Sequence, residues 1–329
     1  MSERFEVVGI GNALVDVLAR IEPGFLDAQS LTKGIMTLVD ADTSDRIYAA
    51  MPPAVEKSGG SCGNTMAGFA ALGGKGAYIG KIRNDQLGRI FRHDMTALGV
   101  AAPVAMADDG PSTGRCLVLV TPDADRTMLT YLGAATELGP EDVDAAVIQA
   151  ADCVYMEGYL FDKERAKQAF IKAADIAPAV GGQVSLTLSD PFCVGRHRDA
   201  FRALVENHVD ILFANEEEIL SLYETRDFDA AMQAVRAHCE IACLTRSEKG
   251  SVIVSGEAFH VIDAVPVAKV VDTTGAGDQY AAGFLYGWAK GLDLATSGRI
   301  ASMMAGEVIS HVGPRTESDV KAAMQKIVG

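Results

Sequence analysis

Apolar and polar positions along this chain follow two different rhythms. From Pro140 onward, short apolar runs alternate with longer stretches whose apolar residues recur every three or four positions. A period near 3.6 marks a helix with one buried face, and a short unbroken apolar run marks a strand covered on both faces. The alternation predicts helix 140–150, strand 152–156, helix 162–176, strand 183–188 and helix 196–207. It continues as strand 209–213, helices 215–223 and 227–238, and strand 241–245. A β-branched approach over 265–271 then leads through a turn of small residues into another helix. Regular βα alternation implies an α/β fold, a mostly parallel sheet flanked by helices on both faces.

Before Pro140 the pattern is less regular. Residues 5–10 read as a buried strand ending at Gly11-Asn12, 15–21 as a strand before Pro23, and 31–40 as a third. Helices are predicted over 41–51 (starting near Asp42 or Ser44), from the loop at Asn64 to Leu72, and over 85–98 before Gly99, with a strand at 78–82. Residues 113–120 and 126–132 flank a turn-rich 121–125, the pattern of a hairpin. The strand-rich stretches 13–40 and 112–133 are read as one small β-sheet lid over the mouth of a site. Residues 1–12, 41–111 and 134–329 then form the large α/β domain.

Composition narrows the function. The chain has 329 residues, 49% hydrophobic and 22% charged, which is ordinary for a soluble globular protein. Its net charge is -15 with acidic residues spread throughout, which argues against nucleic acid or an anionic membrane as partner. The start, MSERFEVV, lacks a basic segment followed by an apolar one, and no apolar run reaches the ~18 residues of a membrane span. The six cysteines lie in apolar segments without CxxC spacing, so reduced core thiols in a cytoplasmic protein are expected. The six histidines show no zinc-binding spacing.

Candidate chemistry gathers at strand ends, where parallel sheets bind ligands. Consecutive N–H groups at Gly275, Ala276 and Gly277 open a helix and form a ready anion cradle. Asp278 beside that cradle is either an N-cap or a general base toward a hydroxyl attacking phosphorus. Asn12 and Asp16 stand on one face of an extended strand and match a diol; turn Asn and solvent-facing Asp is the alternative. A second glycine loop, Gly59-Gly60-Ser61-Cys62-Gly63-Asn64, presents Asn64 at a helix start. Asn215 and Glu218, one turn apart, either cap a helix or hold Mg²⁺ through its waters. The turn from Thr245 to Gly250 either rims a nucleotide or is a plain hairpin. No Walker A motif occurs, and Gly9-x-Gly11 lacks the third glycine of a dinucleotide fingerprint.

Taken together these landmarks resemble the ribokinase-like (PfkB) family of carbohydrate and nucleoside kinases over nearly the whole chain. Asp272-Thr-Thr-Gly-Ala-Gly-Asp278 with Gly283-Phe284, Gly59-Gly60 through Asn64 with Gly88, and Asn215-x-x-Glu218 carry the resemblance. Gly11-Asn12-Ala-Leu-Val-Asp16, Gly59-Gly60-Ser61, Leu188 to Phe192 and Val209 to Glu216 are similar to the adenosine kinase branch. The resemblance implies ATP, Mg²⁺ and an acceptor nucleoside, adenosine going to AMP as in purine salvage. It implies that Asn12, Asp16, Gly60 and Asn64 hold the ribose, that Leu14, Leu38 and Tyr159 pack on the purine, and that Arg126 closes over the transferring phosphate. Asn215, Thr245, Gly250, Gly275 and Gly277 would contact ATP. Asp272, Thr274 and Gly313 are candidates for a monovalent cation such as K⁺. Ser61 stands where ribokinases commonly carry Lys, Tyr159 where an aromatic Phe is expected, and Cys62-Gly63 departs from the pattern. A sugar kinase for ribose, fructose or a keto-deoxy sugar acid, or a silent nucleoside-binding regulator, are the rival readings. A monomer and a homodimer paired through the lid edge both fit.

Overall fold

A computed structural model describes residues 4–123 and 125–329. Its main sheet has eight strands. Gly76–Ile79, Phe5–Ile10, Ala151–Glu157, Gln183–Thr187, Ile211–Asn215 and Ile241–Thr245 lie side by side and parallel, followed by antiparallel Ser251–Ser255 and Ala258–Ile262. Because successive strand residues point to opposite faces, each strand feeds two cores. Val7, Tyr155, Phe213 and Cys243 pack with Phe69, Phe284 and Met304 on one face. Val8, Val154, Leu186 and Leu244 pack with Phe170, Phe201 and Leu222 on the other. All six cysteines are buried and free. Among the described residues no helix is long and apolar enough to cross a membrane.

A second sheet of five strands runs in the order Met36–Leu38, Arg126–Gly133, Thr113–Val120, Leu14–Arg20, Val55–Gly59. Its last strand comes from the stretch 41–111 that the sequence pattern assigns to the large domain. Val-Glu-Lys-Ser-Gly carries one apolar side chain, so no alternation announces it, and it forms by pairing antiparallel with residues 14–18.

Several elements depart from expectation. Of 31–40 only Met36–Leu38 is a strand, and a Pro23–Ala28 helix precedes it. Gly34 at φ +81° breaks the extended run. Strand 78–82 is split: Gly76–Ile79 joins the main sheet, while Lys81–Arg83 pairs with Ala105–Ala107. The helix at 41 is capped by Asp40, whose carboxylate accepts from Thr43 N–H at 2.8 Å. The region 140–150 holds a 3₁₀ turn, Pro140–Asp142, and a short helix, Ala145–Gln149. Residues 265–271 form no strand; Val265, Pro266, Val267 and Val270 of this stretch line a cavity.

Candidate active site

A cavity of about 1400 Å³ lies between the carboxyl ends of the parallel strands and the second sheet. It is lined by Asn12, Leu14, Asp16, Leu38, Gly60, Asn64, Arg126 and Tyr159, and also by Asn215, Glu218, Thr245, Gly250 and Thr274 to Asp278. Asp272 and Gly313 lie just behind that lining, bonded to each other. The fold therefore brings residues scattered over the chain into one space.

The Ala276–Ala289 helix starts from Gly275, which has φ +79° and no side-chain cap. A Cβ there would come within 2.6 Å of Pro314 Cα and O, so only glycine fits. Among the described residues, the N–H groups of Gly277 and Asp278 donate to no protein acceptor. Arg126 adds to this corner. Its Nη1 lies 2.7 Å from Asp272 Oδ2, while Nε and Nη2 are buried without a partner. Buried donors left unpaired are costly, so this corner is built for an anion.

Asp278 is half-buried at the same corner. Ser61 Oγ donates to its Oδ1 at 2.6 Å and Asn64 Nδ2 to its Oδ2 at 3.3 Å. Burial raises its carboxyl to about 6; the Ser61 and Asn64 bonds oppose that rise, Asp16 adds to it and Arg315 lowers it. Asp278 is not the N-cap, which is Gly275; of the two roles open to it, capping falls away. Asp16 is also raised to about 6, by burial, with Arg315, Lys57 and Arg126 pulling it back.

Glu157, at the end of its strand, was legible as a strand-end residue but not as a partner of the site. It is buried, and it accepts from Asn12 Nδ2 at 2.6 Å and from Cys62 N–H at 2.9 Å. Burial raises its carboxyl to about 7. The amide nitrogen of Asn12 is thus already engaged, leaving its oxygen for a ligand. Leu14 is buried, whereas Leu38 and Tyr159 are 54% and 36% exposed toward the cavity. At the other end, Thr245 and Gly250 share the lining with Val265, Val267, Val270 and Ile309, an apolar patch to which the β-branched run over 265–271 contributes three side chains.

Asn215 and Glu218 form a reciprocal cap. Asn215 Oδ1 accepts from Glu218 N–H at 2.8 Å, and Glu218 accepts from Asn215 N–H at 3.0 Å and Nδ2 at 2.7 Å. Glu218 is raised to about 7 by burial, with Asp190 and Glu217 pushing the same way. All three side-chain oxygens already accept within this cap, so they would meet a hard cation such as Mg²⁺ through its waters and not by direct ligation. The candidate monovalent set does not fit as well. Asp272 Oδ1 accepts from Thr274 N–H and Oγ1, and Oδ2 from Gly313 N–H and Arg126. Its charge is met by the guanidinium and both oxygens are taken.

The pattern of residues 36–321 matches the pfkB family carbohydrate kinases. The solved structure of adenosine kinase from Sinorhizobium meliloti superposes with a TM-score of 0.89 at 47% identity, covering 98% of this chain and 99% of that one. A "probable sugar kinase" of Rhizobium etli superposes at 0.90, also 47% identical, covering 98% of each. Adenosine kinase of Saccharomyces cerevisiae is 29% identical over 335 residues, 95% of this chain and 97% of its own. The chain belongs to the pfkB family of carbohydrate kinases and is a phosphotransferase acting on an alcohol group.

Proposed function

We propose that this protein transfers the γ-phosphate of ATP to the 5′-hydroxyl of a nucleoside, adenosine above all. The observation that carries this reading is the make-up of the acceptor end of the cavity. Leu14, Leu18, Leu38, Met128 and Leu132 line it together with Tyr159, while Asn64 and Asp16 neighbour Asp278. An apolar slot continuous with a hydroxyl-matching corner suits an aromatic base carried on a ribose. A free pentose would leave the slot unfilled.

In this reading Asp278 takes the proton of the 5′-hydroxyl as its oxygen bonds to the γ-phosphorus and the bond to the ADP oxygen breaks. The open N–H groups of Gly277 and Asp278 and the unpaired donors of Arg126 meet the charge on the transferring group, whereas the Ala276 N–H, expected in the cradle, already donates to Thr273 O at 3.2 Å. Asn12, Asp16, Gly60 and Asn64 hold the ribose, and Thr245, Gly250 and the apolar 265–270 stretch hold the base of ATP. Mg²⁺, held at Asn215 and Glu218 through water, would supply charge neutralisation between the ATP phosphates. The second sheet acts as a lid whose closure keeps water from the phosphoryl group.

One observation favours a second reading. Lys57 lines the same cavity opposite Asp16 in the strand register, with the charges of Asp16 and Glu317 acting on it. A sugar acid would present a carboxylate to it. ADP release with Mg·ATP, measured across adenosine, inosine, guanosine, ribose, fructose and a keto-deoxy sugar acid, decides between them. Turnover with nucleosides and adenosine best is expected; turnover with a free sugar or sugar acid and none with adenosine overturns the proposal.

A further inference from the structure

We infer that Arg315 is a positioning residue for Asp278: it fixes which end of the Asn64 amide meets the base and sets a buried positive charge behind it. This rests on the reading of Asp278 as general base.

Arg315 sits in the turn after the Leu294–Val308 helix, and its side chain is 13% exposed. It joins segments far apart in the chain. Nε donates to Asn64 Oδ1 at 3.1 Å, Nη2 to Ser58 Oγ at 2.9 Å, and Nη1 to Asp94 Oδ2 at 3.3 Å. Asp94 is itself anchored, accepting from Ser58 N–H at 2.8 Å. A guanidinium only donates, so the Asn64 atom facing it must be the amide oxygen. The amide nitrogen is thereby turned to Asp278 Oδ2, 3.3 Å away. The reverse orientation would set two donors face to face and an oxygen against a carboxylate. The same helix start is tied to the base-bearing helix by Gln279, whose Nε2 donates to Asn64 O at 3.1 Å and Pro314 O at 3.0 Å.

The charge has a second consequence. Asp278 and Asp16 are mutually repelling carboxylates, and Arg315 acts on both to favour the ionised form. The other groups around Asp278 are uncharged donors (Ser61 and Asn64) or groups its charge pushes up: Glu157, Cys62, Tyr155 and Tyr159. Lys57 and Arg126 act on Asp16. Arg315 is thus the cation that lets a base and a ribose-holding acid ionise side by side.

The test is kcat against pH for wild type, Arg315→Met and Arg315→Lys, using Mg·ATP and the acceptor best turned over in the screen above. Asp278→Asn is measured first; if it keeps full kcat, the base reading fails by itself and independently of Arg315. Otherwise Arg315→Met should move the acid limb upward by about one pH unit or more, because an opposite charge has been removed from a carboxylate. Arg315→Lys should return the limb to its wild-type midpoint while the plateau kcat stays about tenfold low, since an ammonium cannot hold the Asn64 amide as the fork does. An unmoved limb in a folded Arg315→Met protein, or a wild-type plateau in Arg315→Lys, overturns the proposal. Should Arg315→Met fail to fold, the Arg315→Lys plateau decides alone.

Discussion

Two helices of this molecule begin alike and end with opposite uses. Ser61–Ala71 and Ala276–Ala289 each start from a glycine with positive φ, Gly60 at +82° and Gly275 at +79°, and neither has a side-chain cap. At the first, the protein supplies its own anion: Cys62 N–H donates to the Glu157 carboxylate at 2.9 Å. At the second, the N–H groups of Gly277 and Asp278 meet no protein acceptor among the described residues, and Arg126 brings two unpaired donors beside them. A glycine-rich helix start is therefore not an anion site until one asks what already fills it. The filled start has another duty. Its first turn projects Ser61 and Asn64 onto Asp278 of the open one, so under the proposed function one helix start would hold the base and the other would receive the phosphate.

The contrast breaks most sharply at Asp278. Asp278→Asn should lower kcat about 100-fold or more while Mg·ATP still binds, as read by steady-state kinetics beside an ATP titration. Unchanged kcat would remove the aspartate from the chemistry. Next come the two glycines. Gly275→Ala places a Cβ against Pro314 and should cost about tenfold in kcat, whereas Gly60→Ala, whose Cβ would reach Asn12 O at 2.3 Å, should chiefly raise the acceptor KM. Matching kinetic defects in both variants would erase the distinction drawn here.

A smaller effect belongs to Glu157. Its carboxyl is raised from 4.5 to about 7, so the stability it adds is present below about 4.5 and lost as pH rises through 7. Wild type should lose stability between pH 5 and pH 8, and Glu157→Gln should flatten that slope by about 2 kcal/mol in denaturant titrations. An unaltered slope would mean that Glu157 is ionised throughout. Asp16, Asp278 and Glu218 are raised in the same sense, so part of the slope should remain. Ser61→Ala is the mildest change. Loss of the bond to Asp278 Oδ1 should shift the acid limb of kcat upward by less than about one pH unit. A downward shift would contradict the direction of that hydrogen bond.

Much of this was legible in the chain. The alternation after Pro140 corresponds to the parallel strands from Ala151–Glu157 to Ile241–Thr245, because each run packs on both faces and has to be apolar throughout. The GAGD turn was legible because an N-terminal glycine, its open N–H groups and Asp278 are neighbours in sequence. Where the pattern misled, the cause was local. Val265, Pro266, Val267 and Val270 line a cavity and pair in no sheet, and Val55–Gly59 pairs in a sheet with hardly an apolar residue.

The sequence by itself determined the elements and the short motifs, since those depend on residues within a turn or two of one another. Tertiary structure alone decided how the motifs are completed. Glu157 reaches the Gly60 helix start, Arg126 reaches Asp272, and Arg315 reaches Asn64, across separations of 95, 146 and 251 residues. No periodicity records such pairs. They exist because the parallel sheet brings its strand ends and the following helix starts to one edge, where burial makes every carboxylate and guanidinium find a partner or a ligand.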